Sequence, residues 1–206
     1  MTPPGPSETA RNEMAPKLIL TGFMATGKSA VGRAVAARLG WRLVDSDAEL
    51  VARTGKPIPA IFAEHGEARF RALEREVIAG LADDPGRCPQ CGEPRPAVIS
   101  TGGGALVDER NYLALKRAGV IVCLSARPEV IAARVQRAPH KRPKLLEGGK
   151  PLEERIAELM EERRAAYARA DFTVDTSDLS VAQSAERVLE VFGRHGRSAH
   201  RCAPSA

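Results

Sequence analysis

Short apolar runs of strand type stand at 17–21, 42–45, 97–100, 120–124 and 172–174, and longer amphipathic stretches separate them. The runs predict buried strands, because each is only three to five residues long and rich in Val, Ile and Leu. Between them, apolar residues return every three or four positions, which is the mark of a helix with one buried face. Val31, Val35 and Leu39 form one such set, stopped at Gly40. Phe70, Leu73, Val77 and Leu81 form a second, Tyr112 and Leu115 a third, and Val130, Ile131 and Val135 a fourth. Leu152, Ile156, Leu159 and Tyr167 read as one further helix, and a last helix is expected to bury Val181, Val188, Leu189 and Phe192. Strictly alternating strands and helices predict a mostly parallel sheet covered on both faces, a three-layer α/β/α architecture.

Two stretches carry no periodicity of their own. Residues 84–96 are rich in proline, glycine and cysteine and predict an excursion between a helix and a strand. Residues 138–150 are basic and link two helices, where a mobile lid is expected if the protein is a kinase. Residues 1–15 predict a disordered tail, 16–192 one folded domain, and 193–206 a solvated basic tail. The chain of 206 residues is long enough for one substantial core. Its net charge of +5 is spread along the chain, and aromatics are only 4%, so no stacking platform for single-stranded nucleic acid is expected. No apolar run approaches a membrane span and Met1–Ala15 lacks the apolar core of a leader, so a cytoplasmic protein with no membrane partner is expected. The four cysteines are then expected as reduced thiols or metal ligands.

The chemistry gathers where predicted strands end. Gly22-Phe23-Met24-Ala25-Thr26-Gly27-Lys28-Ser29 fits G-x-x-x-x-G-K-[ST], in which backbone N–H groups cradle a nucleotide's phosphates. Lys28 can reach the β- and γ-phosphates and the Ser29 hydroxyl can ligate magnesium. A strand leads into the loop and a helix leaves it, the context that the motif needs. Asp45 and Asp47 end the second strand. One can hold magnesium through water while the other accepts a hydrogen bond from a reacting hydroxyl; alternatively, Asp47 simply caps the next helix. Gly102-Gly103-Gly104 follows the third strand and suits either close backbone approach to a ligand or a plain turn. By spacing alone Arg71 and Arg163 read as solvated helix arginines, though a guanidinium fork also clamps carboxylates. Arg142-Pro143, in the expected lid, can bring positive charge over a transferring phosphoryl group.

Together Gly22–Ser29, Asp45-Ser46-Asp47, Phe70-Arg71, Gly102-Gly103-Gly104, Arg142-Pro143 and Arg163 with Tyr167 resemble the shikimate kinase family. The resemblance runs from about Lys17 to Phe192, and the phosphate loop is its least specific part. It implies a five-stranded parallel sheet with a closing lid, and an ATP-dependent phosphorylation of the 3-hydroxyl of shikimate. It implies that Gly22, Ala25, Thr26, Gly27, Lys28, Ser29 and Ala30 surround ATP, with Arg134, or Arg137 as second choice, on the adenine side. Asp47 is implied as the base at the attacking hydroxyl, with Lys28 and Arg142 neutralising the transferring group. Phe70, Arg71, Gly102, Gly103, Gly104 and Arg163 are implied around shikimate, with Arg71 and Arg163 on its carboxylate. Ser29 is implied as a direct magnesium ligand and Asp45 as one through water.

Two departures from the family pattern stand out. Ala25 occupies a loop position where glycine is common. Cys88-Pro89-Gln90-Cys91 resembles half of a zinc knuckle inside an insertion, and a zinc clip to His195, His200 or Cys202 is one reading of it, plain thiols the other. The competing expectations for function are a kinase for another polyol such as gluconate, and a nucleotide-binding module without catalysis. The first has no evident use for Arg71 and Arg163 beside three glycines; the second has none for Asp47. A monomer suffices for either.

Overall fold

The computed structural model describes residues 16–85, 96–137 and 151–194. Residues 1–15, 86–95 with Cys88 and Cys91, 138–150 with Arg142, and 195–206 lie outside the described residues, while Gly193, expected in the tail, ends the last helix. Five strands form one sheet: β1 (Lys17–Thr21), β2 (Arg42–Asp45), β3 (Ala97–Ser100), β4 (Gly119–Ser125) and β5 (Phe172–Asp175). Their order is β2-β3-β1-β4-β5, and every pairing is parallel. The predicted strands match within a residue or two at each end. The helices are α1 (Lys28–Leu39), α2 (Ser46–Thr54), α3 (Ile58–Asp83), α4 (Glu109–Ala118), α5 (Pro128–Gln136), α6 (Leu152–Glu162), α7 (Arg164–Tyr167) and α8 (Val181–Gly193).

Strand alternation divides the core between two faces. Leu18 and Leu20 of β1 point to the side where Val31 and Val35 of α1 meet Val188 and Phe192 of α8. Trp41 closes that layer edge-on to Phe192, with ring centroids 5.6 Å apart. Ile19 points to the other side, among Leu50 of α2, Phe70, Val77 and Ile78 of α3, and Leu115 of α4. A third cluster caps the carboxyl edge of the sheet, where Phe23 of the phosphate loop packs with Ile131 and Val135 of α5 and Ile156 of α6.

The structure corrects the periodicity at four places. α2 enters the sequence reading only as the helix that Asp47 would cap, because nine residues with one fully buried apolar position, Leu50, give no periodic signal. α3 begins twelve residues before Phe70 and is interrupted at Gly66, whose φ of 72° only glycine adopts without strain. The helix of Leu152 stops before Tyr167, since the chain tightens into a turn at Arg163 (φ −103°, ψ 0°), whose N–H donates to the Met160 carbonyl, and α7 starts afresh. Val181 is 47% exposed rather than buried, because it opens α8 just past the Ser180 capping box and clears the sheet.

Candidate active site

The phosphate loop springs from the central strand. Gly22 has φ 129° and a Cβ there would stand 2.1 Å from the carbonyl oxygen of Leu124, so nothing larger than glycine fits against β4. Gly27 (φ 100°) caps α1 in the left-handed region, and Ala25 adopts φ 62° despite its side chain. The leading N–H groups of α1 therefore face the space where the loop turns, an anion site by geometry and by dipole. Lys28 folds back over that space, its Nζ donating to the carbonyls of Gly22 and Phe23 at 2.9 Å each.

Arg134, expected on the adenine side, and Thr176, which the sequence did not single out, brace this loop. Arg134 donates from Nη1 to the Ala25 carbonyl at 3.2 Å and from Nη2 to the Thr176 carbonyl at 2.7 Å. The Thr176 hydroxyl, 1% exposed, accepts from Arg134 and lies 3.0 Å from both the Thr26 and Ser125 carbonyl oxygens, sharing its proton between them. No sequence signal marks Thr176, since it acts through folding of β5 onto the loop. Arg137 ends α5 and is exposed.

Beside the loop, the end of β2 supplies two carboxylates with different tasks. Asp45, not Asp47, caps α2: its Oδ1 accepts from the N–H groups of Asp47 and Ala48 at 3.1 and 3.3 Å. Its Oδ2 accepts from the Ser29 hydroxyl at 3.0 Å. A hydroxyl and a carboxylate so close, beside a phosphate cradle, are the sparse protein share that magnesium tolerates, since it keeps several waters and takes phosphate oxygens. Ser29 and Asp45 therefore fit that ion. Among the described residues no group of three or more His, Cys, Asp or Glu gathers as a metal site.

Asp47 is left to point inward. Burial, then the charges of Asp45 and Glu74, push its pKa up to about 6, only partly opposed by Lys28 and Arg71. It lies against the glycine loop: a Cβ on Gly102 would stand 2.8 Å from Asp47 Oδ1 and 3.0 Å from Glu74 Oε1. The Gly102 N–H donates to the Ser46 hydroxyl at 3.0 Å, tying this loop to the turn that carries Asp47. Close approach thus crowds out a side chain at Gly102 and Gly104, whereas a Cβ on Gly103 would make ordinary contacts.

Arg71 and Arg163 arrive from opposite directions. A Cβ on Gly104 would stand 2.9 Å from Arg71 Nη1, and one on Gly103 3.8 Å from Arg163 Nη1. The two guanidiniums therefore flank one dipeptide, and neither is the solvated helix arginine that spacing alone describes. Arg71 is held by Glu74 at 2.8 Å and Glu67 at 3.2 Å. Glu74 is 3% exposed, a buried carboxylate matched by this arginine. Its spacing of three from Arg71 was the available signal for it. Phe70 turns into the core and stacks on Phe62 at 4.5 Å, with Arg71 over its ring at 5.2 Å. Arg163 lies over the Phe23 ring at 5.6 Å. The arrangement brings a phosphate cradle, a carboxyl group of raised pKa and two cations to one place at the carboxyl ends of β1, β2 and β3.

Known proteins resemble this chain over most of its length. The profile of the family "Shikimate kinase" matches residues 24–192. A shikimate kinase of Geobacter sulfurreducens is 42% identical over 178 residues, 86% of this chain and 91% of the relative. One from Geobacter metallireducens is 44% identical, covering 80% and 84% respectively. Among solved structures, the shikimate kinase from Acinetobacter baumannii in complex with shikimate superposes with a TM-score of 0.77 at 30% identity, covering 91% of this chain and 98% of that one. A gluconokinase from Sinorhizobium meliloti (TM-score 0.56, 18% identical, 89% of this chain and 94% of that one) shares the fold alone.

Proposed function

The chain belongs to the shikimate kinase family, and we propose on that footing that it transfers the γ-phosphoryl group of ATP to the 3-hydroxyl of shikimate, giving shikimate 3-phosphate and ADP. The observation that carries this reading is the convergence of Asp47, Arg71 and Arg163 on the glycine loop, next to the phosphate cradle. A phosphoryl acceptor bearing a carboxylate matches that set: the anion meets two guanidiniums, and a hydroxyl meets a carboxylate.

In the transfer, a bond forms between the acceptor oxygen and the γ-phosphorus while the bond to the β–γ bridging oxygen breaks. The hydroxyl proton passes to Asp47, whose raised pKa suits a base that must hold and then release it. Arg71 and Arg163 fix the acceptor by its carboxylate so that the hydroxyl lines up, which is most of what phosphoryl transfer asks of a protein. Lys28 exchanges its contacts with the Gly22 and Phe23 carbonyls for phosphate oxygens. Ser29 and Asp45 would hold magnesium, which when bound neutralises charge between the β- and γ-phosphates. Arg134 is assigned to the adenine side, next to the loop that it braces. Arg142 is assigned to the transferring group on the resemblance alone.

Coupled ADP release from purified protein tests the reading with three arms: shikimate, gluconate and no acceptor. Shikimate-dependent turnover is expected. Stimulation by gluconate alone, or by neither, would overturn it. Arg71→Ala and Arg163→Ala are each expected to lower kcat/KM for shikimate by on the order of 2–5 kcal/mol, as for truncated buried charge partners.

A further inference from the structure

Tyr167 has no part in the chemistry above, yet it touches the glycine loop of the site. Its hydroxyl donates to the Gly103 carbonyl at 2.6 Å. That carbonyl and the Gly104 N–H belong to one planar peptide unit, trans like every other described here, so the two point in opposite directions. Holding the carbonyl therefore sets the direction of the N–H. Arg71 lies beside Gly104 and Arg163 beside Gly103, so the unit being held is the one that both guanidiniums flank. The Tyr167 N–H also donates to the Arg163 carbonyl at 3.0 Å, so the phenol and this guanidinium spring from one helical turn. One phenol thus orients a backbone donor that lies between two cations.

Packing does not fix the ring unaided. Tyr167 borders a cavity of about 200 Å³ lined mainly by apolar groups, among them Phe23, Cys123, Met160 and Thr173. With open space on one side, the ring can shift unless its hydroxyl is anchored. Burial pushes the phenol's pKa up to about 12, outweighing the opposing effect of Arg163, so it stays protonated and keeps donating across the working range of pH.

We infer that Tyr167 is a positioning residue for acceptor recognition: its hydroxyl holds the Gly103–Gly104 peptide so that its N–H faces the same carboxylate as Arg71 and Arg163. The inference rests on the function proposed above and adds the element that organises its acceptor site.

Tyr167→Phe removes the hydroxyl and keeps the ring. The variant is expected to raise KM for shikimate about tenfold, with kcat changed less than about threefold and KM for ATP unchanged. Binding of the methyl ester of shikimate, measured as competitive inhibition, is expected to change less than about twofold, since the ester presents no anion to the held groups. An equal loss for acid and ester, an unchanged KM for shikimate, or a rise in KM for ATP together with a lowered melting temperature would each overturn the inference. Absence of shikimate turnover in the unsubstituted protein would instead overturn the function proposed for it.

Discussion

Asp47 is the residue whose environment most changes its chemistry. A carboxylate ordinarily titrates near 4, but here burial and two neighbouring carboxylates raise it to about 6. With the ionised form as the proposed base, log kcat/KM for shikimate is expected to fall with decreasing pH, one unit per pH unit below about 6; an acid limb centred near 4 would remove Asp47 from this role. The sign for stability is opposite. The unfolded chain loses this proton near 3.8 while the native state keeps it until about 6, so the fold loses stability as pH rises between those values. The full difference is about 3 kcal/mol above pH 6, reduced by the residual access of solvent to the group. Asp47→Asn is therefore expected to lower kcat on the order of 10³-fold, leave nucleotide affinity intact, and raise the melting temperature by roughly 5 °C at pH 7. Calorimetry beside single-turnover kinetics checks all three. Asp47 was legible because it ends a strand next to a phosphate loop. Glu74 was not, since a glutamate in a charged helix acquires meaning only when packing buries it to 3% beside Arg71.

Among the elements, the phosphate loop was recognisable from its own sequence, but its support was not. The loop holds a non-glycine residue at φ 62°, a conformation that costs about 1 kcal/mol and persists because its neighbours enforce it. The enforcing groups come from α5 and from the residue following β5, through Arg134 and Thr176. By fixing the Thr26 carbonyl, Thr176 sets the direction of the Gly27 N–H in the same peptide unit. Thr176→Val keeps the shape and deletes the hydroxyl; it is expected to raise KM for ATP about fivefold to tenfold with little change in KM for shikimate, and Thr176→Ser to restore it. If KM for ATP does not move, the loop holds its conformation unaided. The break between α6 and α7 at Arg163 escaped the periodicity for a related reason. Apolar spacing records which face is buried, and Tyr167 remains on the buried side although a turn residue divides the two helices.

At the scale of the molecule, the strand order β2-β3-β1-β4-β5 places the ends of β1, β2 and β3 side by side, so residues far apart in the chain share one rim. Ligands bound there are expected to stabilise the whole domain. ATP with magnesium at a hundred times its dissociation constant adds about 2.7 kcal/mol, a rise in melting temperature of roughly 5–10 °C, and chelation by EDTA is expected to remove most of that shift. A nucleotide effect indifferent to EDTA would show that Ser29 and Asp45 do not take part through magnesium. Among the described residues no helix is long and apolar enough to cross a membrane. The amino-acid sequence by itself determined the five strands, most helices, the phosphate loop and the ends from which the carboxylates rise, because periodicity, turn chemistry and the loop motif are local and each is written within a few neighbouring residues. Only the tertiary structure decided which carboxylate caps and which faces inward, that Glu74 is matched to Arg71, that Arg71 and Arg163 flank one dipeptide, and that Thr176 and Tyr167 hold the backbone of the site. Those facts depend on burial and on distances between residues up to 150 positions apart, and such distances exist only once the sheet has brought its strands together.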